Sequence, residues 1–403
     1  MASTDPRCGE SERRIARLRA AMDRKDPAWG TVFLLGRVNQ YYFAGSMQDG
    51  LLVVRRDGPA VYFVRRSYDR AAEESDLTDV RPMESYREAA AAIGAECGRT
   101  YLETEVATVA VVERLRRAFS FGEALSVDRT VLEVRMVKSA YEIGRMEEAG
   151  RRHRRFYDEA IPRMLEEGMS ELELYGRVFD GMLRFGSHGV SRFSMFQNEA
   201  IVGQIAFGES TLVRQSFDGP GGGLGLSAAV PLLGSPSRRL ATGDLVFVDA
   251  GFGIDGYHTD CTQVYRFDAE PSEEMARLHA LCVAVEEEAA ERLRPGTKPS
   301  ELYERALARV GPELEPHFMG IGGKRVKFLG HGIGLHLDEL PVLARGFDQP
   351  LEEGVCIALE PKIGIPGVGM VGVEDTYVVT PEGGRCLTGG PEPIRVVPRR
   401  NPG

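Results

Sequence analysis

No stretch of this 403-residue chain approaches the roughly 18 to 20 uninterrupted apolar residues that a helix needs to cross a bilayer, so no membrane span is expected. The N-terminus, MASTDPRCGESERRIARLRAAMD, lacks the apolar core of an export signal, and the cytoplasm is the expected location. A basic excess is missing as well. With 50 Lys and Arg against 60 Asp and Glu, the formal net charge of -10 argues against wholesale binding of a phosphate backbone, and no nucleic-acid partner is expected. The six cysteines (Cys8, Cys97, Cys261, Cys282, Cys356 and Cys386) form no CxxC pair and no dense framework. Reduced thiols follow, with Cys261 and Cys356 read as packing residues inside apolar runs.

What is present is ordinary globular material, 43% hydrophobic and 27% charged, in a chain longer than one core usually serves. The first segment alternates a basic amphipathic helix, about residues 11 to 22, with strand-like runs at 31 to 36, 50 to 56 and 60 to 66, which predicts an α/β domain. Near residue 132 the pattern changes. Ser139 with Glu142 forms a capping box that opens a long helix, Gly168 is expected to end it, and Ser170 with Glu173 opens the next. The expected organisation is a first domain over 1–137, a second over 138–390 and a frayed Pro-rich tail over 391–403.

The second domain repeats itself. EEGMSELELYGRVF at 166–179 echoes RPGTKPSELYERAL at 294–307, and two apolar runs, GDLVFVDAG at 243–251 and EGVCIALEP at 353–361, each end in an acid after a helix pair. Two pseudo-symmetric halves sharing a central site are therefore expected. The Gly- and Pro-rich segment at 217–244 lacks a GK[ST] ending, so it is read as a flexible loop near a cleft that shapes specificity, and no phosphate cradle is expected.

Asp249, Asp260, Glu360 and Glu374 lie in or beside apolar runs, and His331 sits between glycines in FLGHGIGLHLDELP. Carboxylates buried in sheet-like sequence are costly without a cation, and nothing in the flanking residues is read as neutralising them. Two divalent ions would supply the balance. An oxygen-rich set with one imidazole suits manganese, cobalt, iron or zinc.

The order D-A-G-x-x-x-x-G-Y-x-T-D, G-H-G-I-G-L, L-E-P and E-D-T-x-V-V-T resembles the superfamily of methionine aminopeptidase, prolidase, aminopeptidase P and creatinase. NQYYFAG at 39–45 and the linker RMVKSAYEI extend the resemblance to the creatinase-like N-terminal domain. The resemblance implies an α+β architecture, a creatinase-like α/β domain followed by a pita-bread catalytic domain, and a homodimer. It implies metal ligation by Asp249, Asp260, His331, Glu360 and Glu374, with Asp260 and Glu374 bridging two ions, manganese being the first expectation, and a hydroxide between them. Glu360 and His331 are the catalytic candidates, Glu360 as the proton shuttle.

Three departures concern substrate. Asp338 stands where peptidases of this group carry a second histidine, Gly372 where prolidase and aminopeptidase P place an arginine, and the segment where relatives offer a substrate-facing histidine has none, Gln204 being its nearest candidate. Gln204, His258, His336 and Asp338 are the substrate-side candidates, and a neutral Gln204 with an acidic Asp338 favours a cationic group on the substrate. The leading expectation is an Xaa-Pro aminopeptidase or dipeptidase acting on a peptide or small amide. The alternatives are a non-peptidase carbon-nitrogen hydrolase of a small cationic metabolite and a silent binding module.

Overall fold

The computed structural model describes residues 7, 9–195, 198 and 200–400; Cys8 lies outside them. The chain divides into two compact units, Met1–Arg135 and Met136–Gly403. No helix among the described residues is long and apolar enough to cross a membrane.

In the first unit the predicted helix spans Glu10–Lys25, and the three strand-like runs become Trp29–Leu34, Gly50–Arg55 and Val61–Val64. They pair antiparallel in a six-stranded sheet whose outer strands join in parallel. Phe33, Leu51, Val53 and Phe63 alternate onto one face and pack with Leu115 and Phe119 from the covering segment.

Among the described residues the second unit holds two larger sheets, each backed by a helix pair, and two two-stranded ones. The first sheet is ordered Gly203–Phe207, Leu245–Ile254, Tyr257–Phe267, Arg395–Val397, and helices Ala140–Glu159 and Glu171–Arg184 lie against it. The second is ordered Glu339–Ala344, Phe328–Gly332, Cys356–Leu359, Asp375–Thr380, Gly383–Cys386. Helices Glu273–Glu291 and Pro299–Val310 belong to that half. Both expected capping boxes form, with Ser139 and Ser170 each accepting from the backbone three residues on while the glutamate there reaches back.

Three local expectations need correction. The long helix ends at Glu159, not at Gly168, because Pro162 starts a separate short turn, Ile161–Met164; Gly168 instead takes φ +81 in the following loop. Asp249 does not end its strand. Asp255 and Gly256, at φ 49 and 87, make a two-residue hairpin turn, and the paired strands run from Leu245 to Phe267 through both acids. The supposed frayed tail carries Arg395–Val397, which pairs in parallel with Tyr265–Phe267 as an edge strand of the first sheet.

Candidate metal centre

The hairpin fixes the first two acids. Asp249 faces Thr262 and Asp260 faces Gly251 in its register, which makes the two aspartates diagonal neighbours on one face of the sheet. A bridge from the other half brings in the third. The Thr262 N–H donates to the Glu374 carbonyl at 3.1 Å, and the Thr262 hydroxyl donates to Glu374 Oε2 at 2.8 Å. Glu360 follows the Cys356–Leu359 strand, held by its N–H to the Leu329 carbonyl at 3.0 Å. His331 sits on the neighbouring strand opposite Ala358, with Nε2 3.6 Å from Glu360 Oε1. Its Nδ1 lies 3.1 Å from the Gly332 carbonyl, a partner that leaves Nε2 available as a ligand. All five residues thus converge from both halves, and ligand atoms of Asp260, His331 and Glu374 lie within 4.8 Å of one another.

A sixth residue occupies the cluster, and sequence reasoning missed it. Lys362 is wholly buried, and its Nζ donates to Asp249 Oδ2 at 2.9 Å, Glu360 Oε2 at 3.0 Å and Glu374 Oε2 at 2.8 Å. The expectation that nothing near the acids neutralises them is therefore corrected: the cation stands two residues after Glu360. The signal was a lysine opening an otherwise apolar strand, Lys362–Ile365, directly after the L-E-P motif.

Electrostatics show what the ammonium achieves and what it leaves undone. Burial pushes the carboxyls of Asp249, Asp260 and Glu374 above their usual range; Lys362 opposes this while the neighbouring acids reinforce it. Burial alone would lower the Lys362 pKa, but Asp249, Glu374 and Glu360 outweigh it and hold the amine protonated. One ammonium against four carboxylates leaves the cluster anionic, so a divalent ion fits the Asp260, His331 and Glu374 donors. One oxygen each of Asp249, Glu360 and Glu374 already accepts from Lys362.

Beside the acids lies a narrow cavity, walled by Phe193, Val202, Phe217, Leu232 and Leu337 and bounded by Asp249, Asp260 and Gln204. Gln204 stands directly across from Asp249 in the sheet. It is only 6% exposed, and neither its Oε1 nor its Nε2 has a partner among the described residues. The Gly-rich segment packs on it: a Cβ at Gly221 would fall 2.2 Å from Gln204 Oε1, so a larger residue there would push the amide aside.

The other substrate-side candidates are engaged away from the cavity lining. Both ring nitrogens of His258 lie 3.0 Å from backbone carbonyls, those of Gly334 and Val190. The carboxylate of Asp338 accepts from the N–H groups of Ser194 and Met195, and so anchors the loop that carries Phe193. His336 is half-buried, its N–H donating to Glu339 Oε1 at 3.0 Å. Gly372 faces Lys362 across the hairpin Lys362–Ile365 with Gly369–Gly372.

Comparison with known proteins agrees with the architecture. The family model for metallopeptidase family M24 matches residues 144–381, and that for the creatinase/prolidase N-terminal domain matches residues 14–137. An Xaa-Pro dipeptidase of Pyrococcus furiosus is 27% identical over 367 residues, covering 89% of this chain and 92% of that protein. The Pyrococcus horikoshii prolidase structure has a TM-score of 0.75 at 24% identity, covering 94% of this chain and 98% of that one. An Xaa-Pro dipeptidase structure from Bacillus anthracis has a TM-score of 0.78 at 21% identity, covering 96% and 99%. At such identities the two structures speak to the fold.

Proposed function

We propose, from the premise that this chain belongs to metallopeptidase family M24, that it is a metal-dependent peptidase cleaving the bond before proline in short peptides. The observation that carries this reading is the meeting of Asp249, Asp260, His331, Glu360 and Glu374 beside a cavity into which Gln204 brings two unpaired polar atoms. A divalent ion, when bound, supplies Lewis acidity toward a carbonyl oxygen and acidifies a water.

The chain's own residues do the rest. Gln204 can donate from Nε2 to a substrate carbonyl and accept at Oε1 from an N–H, satisfying both orphaned atoms at once. The aromatic and aliphatic walls offer an apolar surface of the kind a pyrrolidine ring packs on. Glu360, between Lys362 and His331, is placed to take a proton and pass it to the leaving nitrogen. The bridging hydroxide that the resemblance implies needs two ions and is not part of this reading. Manganese is the first ion to load, and a cytoplasmic homodimer remains the expected setting.

The relatives named Xaa-Pro dipeptidase support the substrate class. A cationic-metabolite substrate has lost one of its supports, because Asp338 is bound to the Ser194 and Met195 N–H groups. The test is turnover of Xaa-Pro dipeptides and tripeptides by manganese-loaded protein, abolished by a chelator and restored by metal. Absence of turnover at full metal occupancy would overturn the reading.

A further inference from the structure

We infer that Lys362 is a built-in cation standing in for one of the two metal ions, so that the centre takes a single divalent ion at Asp260, His331 and Glu374. The inference rests on the metal-dependent reading above but not on the choice of substrate.

The geometry is that of a filled cation position. An ammonium has three N–H donors, and Lys362 places its Nζ 2.8 to 3.0 Å from three separate carboxylates, Asp249, Glu360 and Glu374. Nothing is left over. Divalent ions of this group bind carboxylate oxygens at about 2.0 to 2.2 Å, so a second ion among the same oxygens would have to eject the ammonium. The side chain has no exposed surface and its Nζ lies 5.7 Å from the centroid of the buried Phe247 ring, so ejection would require the surrounding core to open.

The hairpin is shaped for this lysine. Lys362 and Gly372 are cross-strand partners, and a Cβ at position 372 would lie 2.6 Å from Lys362 Cα and 2.9 Å from its Cγ. Backbone φ at Gly372 is +144, which side-chain-bearing residues rarely adopt. Glycine at 372 thus leaves room across the hairpin for the Lys362 side chain that turns inward to the carboxylates. Asp260 and His331 receive no bond from the ammonium, which leaves them, with Glu374, as the remaining ion position.

The test counts ions and needs no turnover. The full chain, stripped with a chelator and titrated with manganese(II), should saturate at one ion per chain by elemental analysis and give the electron paramagnetic resonance spectrum of an isolated ion. Lys362→Ala should raise the count to two and introduce the spectrum of an interacting pair. Two ions and a pair spectrum in the unaltered protein would overturn the inference, and so would no bound ion. Should Lys362→Ala fail to fold, the count and spectrum of the unaltered protein decide alone. One ion without Xaa-Pro turnover would overturn the substrate reading and leave this inference standing; two ions with turnover would do the reverse.

Discussion

At the level of single residues the centre divides into groups that hold a cation, one that is a cation, and one that waits for substrate. Asp260→Ala or Glu374→Ala is expected to remove bound metal and activity together, and elemental analysis beside the peptidase assay checks both at once. Retained ion in either variant would sink its assignment as a ligand. Gln204→Ala should behave differently, leaving metal content unchanged and weakening kcat/KM about 5- to 150-fold through loss of two neutral hydrogen bonds. The five residues that meet in the cluster were legible in the sequence because each lies in a short motif with its own neighbours, and their convergence is what the structure adds. Lys362 was not, since a lysine after proline at a strand start ordinarily reads as solvent-facing, and only the tertiary pairing of Lys362–Ile365 with Gly369–Gly372 turns it inward. For the same reason Gly372 read as a loss; its partner across the hairpin could not be seen.

Helices and turns were easier to read than strand ends. The two capping boxes are local chemistry and appear as expected, whereas the Asp255-Gly256 turn, equally local, went unused and with it the hairpin that sets Asp249 against Asp260. The parallel strand Arg395–Val397 depends on a partner more than a hundred residues away, which composition cannot announce. Two predictions belong to elements. Gly372→Ala should destabilise by about 1 to 3 kcal/mol, because the strained φ and the close Lys362 backbone must both yield. Lys138→Met should cost about 3 to 5 kcal/mol, because the buried Glu339 carboxylate, 3.2 Å from Lys138 Nζ, would lose its charge partner. Denaturant midpoints of both variants against the unaltered protein measure these, and a shift near zero for Lys138→Met would overturn the weight given to the Lys138–Glu339 pair.

Across the whole molecule, stability should depend on pH and on metal in separable ways. His153 is fully buried, stacked on Phe252, and burial lowers its pKa from 6.5 to about 3. The unfolded chain takes up that proton below pH 6.5 and the folded chain does not until about pH 3, so stability falls with pH across that window. The slope is at most about 1.4 kcal/mol per pH unit from this group. Urea titrations at pH 7, 6 and 5 should show a shallower fall in His153→Gln, and equal slopes would assign the effect elsewhere. Metal acts on one unit only, since every site residue lies in Met136–Gly403. Free ion at about 100 times its Kd should stabilise that unit by about 2.7 kcal/mol, and a calorimetric scan with and without chelator should move its transition and not that of Met1–Arg135.

The buried ammonium also bears on life in a cell where metals are scarce or mismatched. A coordinated ion is borrowed from a shared supply, competes with its neighbours in the affinity series and can be stripped or replaced by a wrong one. A lysine is inherited with the chain: it is present from the moment of folding, is identical in every copy and answers to no metal buffer. A centre in which part of the positive charge is encoded genetically asks less of its surroundings, and starvation for one trace element would find a single vulnerable position there.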